Sequence, residues 1–124
     1  MVDVMNVLII LAGLMGAAGV TLAAASSHAA TTVKLDSAAY LLLLHAPAVI
    51  TGINAIDRGL AWRPLGIAAL VGFVVGSTLF ASDLTLRAFA GNRLFPMAAP
   101  SGGVILIASW LGMSVAAAVA LWRG

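Results

Sequence analysis

Five side chains have the chemistry to move a proton, hold an ion or grip a ligand inside this otherwise apolar sequence: His28, His45, Ser82, Asp83 and Arg87. Imidazole exchanges protons near neutrality and ligates metals. Asp83 and Arg87 stand four apart, so on a helix they share a face and pair, with the acid on the N-terminal side that the helix dipole favours. Two readings of that pair follow: a self-compensating structural bridge with Arg87 anchoring the helix at the membrane surface, or part of a substrate or ion site. His45 is either a packing histidine or a proton-exchanging group. In both cases a buried ring needs a hydrogen-bond partner across a helix boundary, such as a backbone carbonyl, Ser82 or Asp83. His28, His45 and Asp83 are zinc-ligand types, but no spacing such as HExxH organises them, so no metal is assigned. No nucleophile has a nearby base and no cofactor loop is present, so no catalytic residue or cofactor is assigned and the chain reads as a non-enzyme.

The elements that place these groups follow from composition. The chain has 124 residues, of which 63% are hydrophobic and 8% charged, with mean hydropathy +1.15. So few charges cannot cover the surface of a water-soluble domain of this size. About 20 apolar residues at 1.5 Å each cross a hydrocarbon layer of roughly 30 Å. Such stretches run from about 4–25, 38–56, 65–89 and 102–122, which predicts an all-α polytopic membrane protein, an antiparallel four-transmembrane-helix bundle forming a single domain over 1–124. AAASSHAA resembles a signal cleavage zone, but Asp3 near the start and a long apolar run favour a span. There is no cysteine, which excludes disulfides and thiolate chemistry. A net charge of +2 without a basic stripe gives no nucleic-acid partner.

Charges and helix breakers mark the connections SSHAATTVKLDS (26–37), DRGLAWRP (57–64) and AGNRLFPMAAPS (90–101). Arg58, Arg63 and Arg123 fall at one end, Lys34, Arg93 and Arg87 at the other, and the crowding of Arg58 and Arg63 in one short loop predicts cytoplasmic termini. From the expected helix starts, Asp83 lies roughly 27 Å along the third helix and His45 about 12 Å below the outer start of the second. His28, Asp83, Arg87 and Pro100 should therefore share one end. Pro47 removes an N–H and frees the Leu43 carbonyl in the second helix. At the start of the fourth, APSGG combines a first-turn proline with two glycines. Arg87, Arg93, Ser101, Gly102 and Gly103 form a candidate contact for an anion or lipid head group there, the alternative being close packing.

Small residues recur four apart: Ala12 and Gly16; Ala68, Gly72 and Gly76; Ala108, Gly112 and Ala116. In lipid such stripes let backbones approach, either between these helices or in a homo-oligomer. GLMGAAG (13–19) lacks dinucleotide-loop spacing and lies within a span.

LAAASSHAA, AAYLLLLHAPAVI, VVGSTLFASDL and APSGGVILIASWLG, in that order, resemble the four spans of the YgdD-like family of small inner-membrane proteins, known as domain of unknown function 423, with a eukaryotic branch called transmembrane protein 256. The family's motifs read GAFGAHAL, YQxxHALAL, LFSGSLY and TPxGG. His28 and His45 match the histidines of the first two, Ser82 and Asp83 fall within the third, and Pro100, Gly102 and Gly103 match the fourth. The resemblance implies four transmembrane helices and no established activity. Ala25 and Ser26 stand where glycine-containing sequence is usual, Asp83 replaces a small residue, Thr85 stands near the usual tyrosine, and Arg87 lies outside the pattern. The Asp83 and Arg87 charges therefore read as a local compensated substitution, which ranks His28 and His45 above them.

The expectation is a multi-pass protein of the bacterial inner membrane, a structural or accessory component whose partners are the bilayer and another membrane protein or a second copy. The alternative is a small transporter or proton or ion conductor using His45 and Asp83.

Overall fold

Each apolar run becomes one helix, and local capping chemistry sets the ends. The computed structural model describes residues 3–28 and 34–124; within them lie α1 (Val4–Ser26), α2 (Leu35–Asp57), α3 (Arg63–Ala90) and α4 (Ala98–Arg123). Asp3 caps α1 by accepting the Met5 N–H at 3.1 Å, which satisfies one of the free donors of a helix start. α3 carries Pro64 in its first turn and stops at Gly91, whose φ of 74° is open to glycine without strain. α2 begins at Leu35 rather than the expected 38, with Asp36 in its first turn, where the dipole favours a carboxylate. α4 begins at Ala98 rather than 102, because Pro100 takes a first-turn position whose N–H has no helical partner anyway.

The helices run up and down. One core cluster joins Met5, Leu8 and Ala12 of α1 to Val49, Ile53 and Ile56 of α2, Leu70 and Phe73 of α3, and Leu106 and Ala116 of α4. The other joins Met15 to Ala38, Leu42 and Ala46, and to Ala81 and Leu84. Early α1 thus meets late α2, and late α1 meets early α2 and late α3, as antiparallel neighbours must. His28, Asp83, Arg87 and Pro100 fall at the same end of this arrangement. α1 packs on α2, α2 on α3 and α3 on α4, with a smaller contact between α1 and α3.

The small-residue stripes are consumed largely within the chain. A side chain on Gly72 would strike Ser109, and one on Gly102 would come 2.6 Å from the Gly76 carbonyl, so α3 and α4 meet backbone to backbone. On the other side Ala12 is buried, and Gly19 sits where a side chain would come 2.7 Å from Leu43 of α2. Close approach yields dispersion contacts, the attraction between helices that survives in a solvent as oily as the helices themselves. The outward faces of α1 (Ile10, Leu14, Val20) and α4 (Val104, Ile107, Leu111) are broadly apolar and exposed. That pattern suits hydrocarbon and would be unstable in water.

Candidate functional site

The polar groups of the spans separate into two clusters instead of converging on one site. The first is centred on His45, near the middle of α2 and only 2% exposed. Its Nδ1 lies 2.7 Å from the Leu41 carbonyl oxygen one turn back. Its Nε2 lies 3.0 Å from the indole Nε1 of Trp110 on α4. Indole nitrogen only donates, so Nε2 must be the acceptor; Nδ1 then carries the ring proton and donates it to Leu41. Both nitrogens of a neutral imidazole are satisfied. Phe73 of α3 closes the cluster, with its ring centroid 5.4 Å from that of His45 and 4.5 Å from that of Trp110 in tilted contacts.

The second cluster lies at the end of α3. Asp83, also 2% exposed, accepts the backbone N–H of Leu94 at 2.9 Å through Oδ1. Through Oδ2 it faces Arg87 Nη2 at 3.3 Å. The expected i, i+4 pair therefore forms, and the same carboxylate fastens the α3–α4 connection. The Arg87 side chain stays 30% exposed. Its Nε is buried and is the side-chain nitrogen left without a hydrogen-bond partner among the described residues.

The other candidate residues stand apart. His28 lies in an exposed turn beyond α1, its backbone N–H bonded to the Ala25 carbonyl. Ser82, adjacent in sequence to Asp83, points away from it into an open groove of about 750 Å³ between α1 and α3, lined also by Thr21, Thr78 and Thr85. Arg93 is exposed in the α3–α4 connection. At the start of α4, the Ala98 and Ser101 N–H groups already bond the Phe95 and Met97 carbonyls, and Pro100 has none to offer. Gly102 is buried against the backbone of Gly76 and Phe80, whereas Gly103 faces open space. Among the described residues, Asp83 and Arg87 are the candidates brought into mutual contact; His45 is tied to Leu41 and Trp110 instead.

Trp110 is the participant that sequence reasoning missed. It is 65 positions from His45, and no spacing rule reaches across a fold. A donor-only aromatic at mid-helix depth opposite a buried histidine is the signal it left, legible only once the helices are set side by side.

Four apolar helices with polar groups sealed between them define a small multi-pass membrane protein. The chain belongs to the family described as Protein of unknown function (DUF423), which it matches over residues 9–103, well over half its length. His45, Asp83 and Arg87 fall within that span, and Trp110 lies beyond it. Comparison with curated proteins and with solved structures returns no match.

Proposed function

We propose that this protein is a structural or accessory component of the bacterial inner membrane, without enzymatic activity, that acts by presenting its outer helix faces to another membrane protein or to a second copy. One observation carries the reading: the hydrogen-bonding capacity of the buried histidine and the buried acid is spent on the fold, with Arg87 Nε and the groove-facing Ser82 outside that account. Both His45 nitrogens and both Asp83 oxygens have protein partners. The hydroxyls of Ser77, Thr85 and Ser109 each donate to the carbonyl one turn back. A group locked in this way has little capacity left for substrate, whereas the apolar outer faces of α1 and α4 stay free for contact.

Conduction through His45 and Asp83 would need the two groups on a common route, and they are bound to different partners in different clusters. The test places photoreactive side chains at Ile10, Leu14, Ile107 and Leu111 in native membranes. The proposal expects discrete protein adducts from at least one face. Lipid adducts alone, together with a proton or ion flux in liposomes that disappears in His45→Leu, would replace it with the conductor.

A further inference from the structure

α4 is tied to α2 by very little. Their backbones do not approach as neighbouring helices do among the described residues; side chains bridge the gap, and the His45–Trp110 hydrogen bond is the polar bridge between the two spans. We propose that this bond is an acid-labile seat for α4, released when His45 takes up a proton.

The argument is one of donor and acceptor count. Nδ1 already carries a proton and is closed off by the Leu41 carbonyl at 2.7 Å. A proton arriving from water can therefore add only to the Nε2 lone pair, the pair that accepts the indole N–H. Once it has done so, Nε2–H faces Nε1–H, two donors with no acceptor between them, and the bond is lost. No covalent bond between heavy atoms changes, and reprotonation is reversible.

The surroundings offer the imidazolium no compensation. α3 presents Phe73 and α4 presents Trp110, and α1 brings Gly16 against Ala46, the residue after His45. On α2 itself the contact is the Leu41 carbonyl. None of these side chains ionises, and the described ion pairs, Asp57 with Arg63 and Asp83 with Arg87, do not include His45. An unpaired charge in this setting drives rearrangement.

Trp110 is also the cover. It is 45% exposed, so the indole has an open path towards lipid, and Nε2 can meet a proton only once the ring has moved aside. Displacement of Trp110 and proton uptake by His45 are thereby coupled, and by linkage whatever favours one favours the other. A ligand or partner that pulls on α4 would draw a proton onto His45, and acid would loosen α4.

The test uses the full chain in detergent micelles with Trp62→Phe and Trp122→Phe, so that Trp110 alone fluoresces. As pH falls from about 8 to about 4, a span that extends below the range in which a free histidine switches, Trp110 emission should pass through one reversible step. His45→Gln, whose amide oxygen still accepts the indole N–H but does not protonate, should lose that step. Unchanged emission across the range, or an equal step in His45→Gln, would overturn the proposal. If His45→Gln does not fold, nitrogen-15 resonances of the unsubstituted protein decide. The proposal requires a bare Nε2 at neutral pH that gains a proton together with a shift of the Trp110 indole signal. A protonated Nε2 at neutral pH, or proton uptake without any indole shift, overturns it.

Discussion

Asp83 does two jobs with two oxygens, and its neighbours respond differently to its loss. Asp83→Ala leaves the Leu94 N–H without its acceptor and the Arg87 guanidinium without its counter-charge. Removing one partner of a fully buried pair costs about 3–5 kcal/mol; Arg87 is 30% exposed, so about 2–3 kcal/mol is expected once solvent screening is allowed for. Arg87→Leu alone removes the charge that the acid compensates. If the two charges exist for each other, the double variant Asp83→Ala with Arg87→Leu should be clearly more stable than the sum of the single losses, measured by thermal unfolding in one detergent. Strict additivity would mean that they fold independently. The pair was legible because i, i+4 spacing on a helix is a local rule. The second role of Asp83, fastening residue 94 from eleven positions away, was not, since nothing in the sequence says how the connection folds back. The same limit applied to His45: the expected partner lay across a helix boundary, as a carbonyl, Ser82 or Asp83, whereas the carbonyl it bonds is that of Leu41 on its own helix and the partner across the boundary is Trp110.

Helix identity could be read along the chain because apolar length is a property of each segment alone, whereas helix ends and helix neighbours are not. α4 starts earlier than its apolar run because a proline is harmless in the first turn. Its start is unusual in another way: Met97, at the N-cap, has φ of 69°, a left-handed conformation that costs a side-chain-bearing residue about 1 kcal/mol or more. The stripes of small residues likewise announced close packing without naming the partner helix. The two adjacent glycines of α4 now separate these effects. At Gly102 an added methyl would meet backbone, the Gly76 carbonyl at 2.6 Å and the Phe80 nitrogen at 2.9 Å, which cannot swing away as a side chain can. Gly103 has open space at the same position. Gly102→Ala should therefore destabilise by about 1–3 kcal/mol through overpacking. Gly103→Ala should be neutral or slightly stabilising, since alanine is the better helix former by up to about 1 kcal/mol. Unfolding midpoints of the two variants in one detergent check this, and equal losses would show that the α3–α4 contact is looser than drawn.

At the scale of the whole molecule the open quantity is direction, because an up-and-down bundle is as stable inverted as upright until its loops meet an asymmetric membrane. The fold sharpens the charge argument. The Trp62 N–H bonds the Ala116 carbonyl at 2.8 Å, and the Arg123 guanidinium lies 5.8 Å from the centre of the Trp62 ring, so the α2–α3 connection and the end of α4 are drawn together. Arg58, Arg63 and Arg123 thus form one cationic end. At the opposite end Arg87 is bound to the buried Asp83 at 3.3 Å, which leaves Lys34 and Arg93 outside that pair, whereas the Arg63–Asp57 contact at 3.9 Å is exposed on both sides and too weak to neutralise Arg63. Cationic loops are retained on the cytoplasmic side, so the Arg123 end should face inward. The chain has no cysteine, and single introduced thiols therefore report without background. In intact cells a membrane-impermeant maleimide should label Arg93→Cys and spare Arg58→Cys and Arg123→Cys, and lysis should expose the latter two. Because each substitution also removes a cation, a neutral site in each connection, Asn92→Cys and Gly59→Cys, should repeat the pattern. The reverse pattern would invert the molecule. Labelling of both sets in intact cells would mean that the cationic ends are too evenly matched to set one orientation.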